Sequence, residues 1–196
     1  MTTHPSAAPT TRQVTAGLFM SLDGVVEAPN QWVGPYVNDE VAAQMAAGIA
    51  RADAVLLGRA TYELFTGLWA HQGDDIPMAR FLNHSPKYVV STTLTALPWQ
   101  PATVIRGDLR RELERLKRMP GKNIQVPGSP RLVRSLLRDG LLDELALSIC
   151  PVVVGAGLRL FDDMPARVAL ELVDARVFAH GVVTLAYRPA RPVRDA

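Results

Sequence analysis

Ala52-Asp-Ala-Val-Leu-Leu-Gly-Arg-Ala-Thr-Tyr-Glu63 is the stretch on which the fold turns. Residues 53–57 read as a continuous apolar strand, without the alternation of a half-solvated one. Strands of a parallel sheet look like this because helices cover both of their faces. Gly58 ends the run and Arg59 to Phe65 reads as a helix, so a strand feeds straight into a helix. Working outward, the same unit recurs. Val14 to Met20 is an apolar β run closed by the turn Ser21-Leu22-Asp23-Gly24. A loop through Pro29, Asn30, Gly34 and Pro35 leads to a helix from Asn38 or Asp39 to Arg51. Val41, Met45 and Ile49 share one of its faces, and an Asn or Asp at its start can cap the free amides. Residues 69–85 read as irregular, with room for one helical turn. Lys87 to Ser91 and Thr103 to Ile105 are short strands. Leu109, Leu113 and Leu116 mark an amphipathic helix whose Arg and Glu residues form a solvated face. After the strand Asn123 to Val126 comes the best-marked helix, Ser129 to Asp139. Ser129 is its expected N-cap, Pro130 its first residue and Gly140 its left-handed stop.

Beyond Gly140 the alternation of strand and helix ends. Glu144 to Ile149, Val152 to Val154, Val168 to Phe178 and Val182 to Tyr187 all read as strands, with a hairpin turn at Ala179-His180-Gly181. The expected fold is α/β, with a mostly parallel central sheet, C-terminal antiparallel strands and helices on both faces. One domain is expected over residues 13–189, between a disordered tail at 1–12 and a loose tail at 190–196.

Composition removes several function classes. Twenty-one basic against nineteen acidic residues leave a net charge of only +2. That is too little for a strong non-specific hold on nucleic acid, so no nucleic-acid partner is expected. No run reaches the ~18 apolar residues of a membrane span, and the start lacks the apolar core of a secretory signal. A cytoplasmic protein without membrane contact is therefore expected. The single cysteine, Cys150, sits in an apolar run and reads as a buried, inert thiol. His4, His71, His84 and His180 are scattered, so no metal site is expected.

In open α/β sheets ligands bind beyond the carboxyl ends of the strands, and three strand exits here carry matching equipment. Gly58-Arg59-Ala60-Thr61 offers close backbone approach, helix-start amides, a fixed cation and a hydroxyl, which suits phosphate; equally, Gly58 could serve the turn alone. Ser91-Thr92-Thr93 offers small hydroxyls and no acid to hold a ribose 2′-OH, which together with Arg59 favours a 2′-phosphate and hence NADP; an ordinary Ser/Thr turn is the bland alternative. Pro127-Gly128-Ser129 can present amides to a pyrophosphate while Ser129 also caps its helix. Gly155-Ala156-Gly157 begins like a dinucleotide fingerprint, but Leu160 stands where a third glycine belongs, and a tight turn is the better reading.

Five ordered stretches together resemble a known family. They are Met20-Ser-Leu-Asp-Gly24, residues 52–63, Lys87-Tyr-Val-Val-Ser-Thr-Thr93, Val126-Pro-Gly-Ser129 with Leu132 to Leu147, and Pro151-Val-Val-Val-Gly-Ala-Gly-Leu-Arg-Leu-Phe161. Over residues 13–188 the chain resembles the dihydrofolate-reductase-like proteins that share the reductase domain fold of the bifunctional riboflavin-biosynthesis deaminase-reductase. The resemblance implies a dihydrofolate-reductase-like fold, NADPH as cofactor and a homodimer. It puts Gly58, Arg59 and Thr61 near the phosphates, Ser91 and Thr92 near the 2′-phosphate, Gly128 and Ser129 at the pyrophosphate, and the Ser21–Gly24 loop beside the nicotinamide. It makes Asp39 the candidate substrate carboxylate, with Glu40 next and Asp23 acting through water. This chain has Pro127-Gly128 where many relatives carry a glycine pair or triplet, and Pro130 lacks an amide, so its phosphate cradle has fewer donors. The activity so implied is hydride transfer from NADPH to a C=N or C=O group of a small molecule, pterin- or pyrimidine-like: dihydrofolate, or a 5-amino-6-(ribosylamino)uracil phosphate, which would need a second anion site from Arg80 or Arg159. The alternatives are a non-catalytic nucleotide-binding homodimer and a plain dimerisation module.

Overall fold

The computed structural model describes residues 11–162 and 164–190. The expected tails fall outside them, apart from the residues at their inner ends. Arg12 is one of these: it is buried, pairs with Asp53 and donates from Nε to the Lys122 carbonyl at 2.6 Å.

The chain runs β1 (Val14–Ser21), α1 (Asp39–Ala50), β2 (Ala52–Gly58), α2 (Arg59–Trp69), α3 (Pro77–His84), β3 (Lys87–Val90), β4 (Ala102–Ile105), α4 (Leu109–Arg118), β5 (Asn123–Val126), α5 (Pro130–Arg138), β6 (Glu144–Cys150), β7 (Leu170–Val177) and β8 (Val183–Pro189). All eight strands join one sheet in the order β4-β3-β2-β5-β1-β6-β8-β7. The first six are parallel, and β8 and β7 complete the sheet antiparallel. A mostly parallel sheet finished by C-terminal antiparallel strands is what the sequence predicts.

Strand β2 shows why the opening stretch is decisive. Ala54 and Leu56 enter a core built with Leu113 and Leu116 of α4 and Val133, Leu136 and Leu137 of α5. Val55 and Leu57 face the other way, into Tyr62 of α2, Leu82 of α3, Val89 and Trp99. All four β2 side chains are inaccessible to solvent. Alternation in direction without alternation in polarity is what burial between two helical layers requires. A third cluster joins Val41 of α1 to Cys150 and Val182, with Phe19, Trp32, Tyr36 and Met45 packed around it.

Three expectations are corrected. Residues 77–84, expected within an irregular stretch, form the helix α3, with Pro77 in its first turn. Its C-terminus is held by Lys87, whose buried ammonium donates to the carbonyls of Leu82 (2.7 Å) and Ser85 (3.1 Å) and lies 4.6 Å from the centre of the Trp99 ring. Residues 152–154 are not a strand. Their backbone turns away from the ladder, with the Val152 amide on Cys150 O (2.8 Å) and the Val154 amide on the Asp23 carboxylate (3.0 Å). Ser129 stands at the N-cap position of α5 but does not cap with its side chain: its backbone is left-handed (φ 59°) and its hydroxyl is engaged elsewhere. Pro130 and Gly140 (φ 64°) take the positions expected of them.

Candidate cofactor and active site

Because six neighbouring strands are parallel, their carboxyl ends lie along one edge of the sheet, and the loops leaving them form a continuous rim. The register makes part of this rim explicit. Gly58 lies opposite Val90, and Val90 opposite Ile105. The residues that follow, Arg59, Ser91 and Arg106, therefore leave the sheet side by side, at strand spacings of about 4.8 Å.

On the other side of β2, the exit of β5 closes against it. The Gly58 amide donates to Ser129 Oγ at 3.0 Å. A Cβ on Gly128 (φ +120°) would lie 3.6 Å from Thr61 Cγ2 and 3.8 Å from Phe65 Cζ. Four residues nominated from separate stretches, Gly58, Thr61, Gly128 and Ser129, thus meet at one point. It is also where α2 and α5 begin. Neither helix has a side-chain cap or an acid in its first turn. Helix geometry leaves first-turn amides without intrahelical partners, and the two dipoles add partial positive charge. The arrangement suits a diphosphate.

Ser91 Oγ accepts from the amides of Thr93 (3.2 Å) and Leu94 (2.9 Å), which leaves its own proton to donate. Thr92 is exposed beside it. Arg59, also exposed, shares its guanidinium with Glu63 at 3.1 Å. Arg106 is a residue that sequence reasoning missed. It binds the carbonyls of Thr92 (3.2 Å) and Leu94 and so places a second cation at this turn. The signal was available, since Arg106 directly follows a predicted strand.

The rim beyond β1 and β6 is built differently. Ser21 is fully buried; its hydroxyl donates to the Asp23 carboxylate (2.7 Å) and accepts from the Val25 amide (2.8 Å). Its side chain is spent inside the loop. Asp23 accepts further hydrogen bonds from the amides of Val154 (3.0 Å) and Gly155 (2.9 Å), with Arg159 at 3.5 Å. The Ser21 hydroxyl first, then the amides, hold its carboxyl well below the usual carboxylate range. Through these hydrogen bonds Asp23 latches the Ser21–Gly24 loop to the loop that follows β6. Gly155 (φ +84°) and Gly157 (φ +123°) form the tight turn expected of them.

Asp39 and Glu40 occupy the first turn of α1 on the same rim, and both are exposed. Asn38 caps the helix by accepting from the Val41 amide at 3.0 Å. Glu40 accepts from the Ala179 amide at 3.2 Å, which ties α1 to the β7–β8 turn. Asp39 is thus the nominated carboxylate without a structural hydrogen bond among the described contacts. Cys150 is buried, and desolvation pushes its thiol up to about 11, so it is no nucleophile. Among the described residues no cluster of three or more His, Cys, Asp or Glu is arranged for a metal, and no helix is long and apolar enough to cross a membrane.

A family model described as the RibD C-terminal domain matches residues 12–184. The Bacillus subtilis protein YyaP is 32% identical over 180 residues, which span 90% of this chain and 94% of YyaP. Among solved structures, a Shewanella sp. PV-4 protein ascribed to riboflavin biosynthesis superposes with a TM-score of 0.76 at 19% identity, covering 91% of this chain and 99% of that one. A dihydrofolate reductase from Enterococcus faecalis, complexed with NADP(H), superposes with a TM-score of 0.61 at 14% identity, covering 91% and 97%.

Proposed function

Because the chain belongs to the RibD C-terminal (reductase) domain family and has the dihydrofolate-reductase-like fold, we propose that it is an NADPH-dependent reductase of a small molecule bearing a C=N or C=O group. The observation that carries the reading is the junction of two uncapped helix starts, closed by the 3.0 Å bond from the Gly58 amide to Ser129 Oγ. The residues fit the coenzyme. The left-handed Gly128 keeps the cradle floor free of a side chain, and two arginines flank a serine one strand-spacing away, as a 2′-phosphate requires. Pro130 removes one donor, but the first turns of α2 and α5 supply others.

In this reading Gly58, Thr61, Gly128 and Ser129 hold the diphosphate, and Arg59, Ser91, Thr92 and Arg106 hold the 2′-phosphate. When bound, NADPH supplies a hydride from C4 of its nicotinamide. The chain's own part is to hold the acceptor beside that ring in reactive geometry, on a platform formed by the Ser21–Gly24 and 151–160 loops. Asp39 orients the acceptor and relays a proton from water to its nitrogen or oxygen, with Glu40 beside it. A pterin-like or pyrimidine-like acceptor fits these donors and acceptors. The active form is proposed to be a homodimer, supported by the apolar face of β7 and β8.

Calorimetric titration with NADPH, followed by absorbance at 340 nm with a panel of pterins, pyrimidines and cyclic imines, tests the reading. It expects saturable heat at micromolar coenzyme and consumption of NADPH with at least one acceptor. Heat without consumption selects a nucleotide-binding protein that does no chemistry; no heat removes the reading.

A further inference from the structure

The rim carries several backbone groups able to receive an anion, and the chain treats its two halves oppositely. Over β2 and β5, the starts of α2 and α5 have neither side-chain caps nor first-turn acids. Over β1 and β6, three loop amides are filled by the chain's own carboxylates. The glycine loop after β6 points the amides of Val154 and Gly155 at Asp23, and that of Leu158 at Glu27 (2.9 Å). Successive amides of this kind otherwise make an anion nest. The cation of that loop, Arg159, lies over the same turn, with Nε on the Asp23 carbonyl and Nη2 on the Gly155 carbonyl, each at 3.0 Å, and the Asp23 carboxylate at 3.5 Å. The start of α1 is capped by Asn38 and carries Asp39 and Glu40 in its first turn, which oppose its dipole.

Carboxylates thus stand on the β1/β6 half of the rim, where the β2/β5 half presents uncapped helix starts. Resting on the reductase reading, we infer that the acceptor reduced at the β1/β6 half carries no phosphate: it is a neutral or cationic nitrogen heterocycle. Asp23 and Glu27 are the residues that set this specificity. They act by occupying the amides a substrate phosphate would use, and Glu27 also by its charge.

The test is a matched pair, 5-amino-6-(ribosylamino)uracil and its 5′-phosphate, titrated into the full-length protein after saturation with NADPH. The heat of NADPH binding is recorded first and by itself. The unphosphorylated form is expected to bind at least threefold more tightly than its phosphate, with the gap narrowing as KCl is raised. Glu27→Gln retains an acceptor for the Leu158 amide but removes a charge, and should narrow the ratio about twofold. Both ligands meet the same protein, so damage to the fold moves both constants and not their ratio. Tighter or equal binding of the phosphate, or binding of neither compound, overturns the inference while leaving the coenzyme reading intact. Absence of the NADPH heat removes that reading, and this inference with it.

Discussion

Arg59 stands at the first position of α2, level with Ser91 and Arg106, and its guanidinium is held only by an exposed pair with Glu63. Such surface pairs are worth little, so the side chain can re-aim at an anion at small cost. Arg59→Ala should weaken NADPH by about tenfold, as loss of one charge-assisted contact does, and leave NADH within about twofold. Paired titrations decide it, and an equal loss for both coenzymes would take Arg59 away from the 2′-phosphate. The same residue marks how far a site can be read from sequence. Gly58, Arg59, Thr61, Ser91 and Gly128 announce themselves because they follow apolar strands, and the rule about strand exits is local. The actual task of Ser129 is not local: its hydroxyl serves Gly58, 71 positions away in sequence, and only the β2–β5 pairing brings the two together.

Among the elements, the latch between residues 21–27 and 151–160 is the one that shapes the substrate side. Strand β1 ends in it, and it replaces the strand expected at 152–154: the ladder is exchanged for bonds from Leu22 N to Val152 O (2.8 Å), Val26 N to Leu158 O (2.9 Å) and Leu160 N to Gly24 O (3.0 Å). Apolar residues at 152–154 suggested a strand, but Asp23 offers the amides of Val154 and Gly155 a charged acceptor that a ladder could not match. Helix α3 was hidden for a related reason. Its short apolar pattern is weak, and what ends it is the ammonium of Lys87, supplied from the following strand. The latch has a pH signature. The carboxyl of Asp23 is depressed in the folded protein, so its contribution is complete above its unfolded value of 3.8 and is lost as pH falls below that value towards the folded one. Asp23→Asn should lower the melting temperature at pH 6–7, and the difference from the wild type should shrink in buffers below pH 4. A difference independent of pH down to 3 would mean that the ionised carboxylate does not secure the latch.

For the molecule as a whole, the architecture was legible because its signal is repeated: four apolar strands, each followed by a helical segment, can close only as a parallel sheet clad on both faces. What was not legible is where that cladding stops. Along the antiparallel edge Leu172 pairs with Tyr187, Ala175 with Leu185 and Val177 with Val183, so these side chains share one face and extend the row begun by Leu145, Leu147 and Ile149. Helix α5 packs on the inner part of that row, yet Leu172 and Val177 are 56% and 78% exposed. The opposite face is finished for water, with Arg188 on Glu171 at 3.0 Å and Arg176 on Asp174 at 2.8 Å. An apolar sheet face at an edge strand is a liability in a monomer and an asset in a two-fold pair, where the same patch on each copy covers the other. The proposed homodimer uses it. Leu172→Lys with Val177→Lys tests this without touching the core. The two copies together would have to desolvate four ammoniums in the interface, at a cost of about 2 kcal/mol or more each, which weakens the dimer by about a millionfold. Sedimentation equilibrium should find the wild type dimeric at micromolar concentration and the double variant monomeric, with a melting transition retained in both. A monomeric wild type, or a double variant as dimeric as its parent, would leave the apolar face needing another explanation.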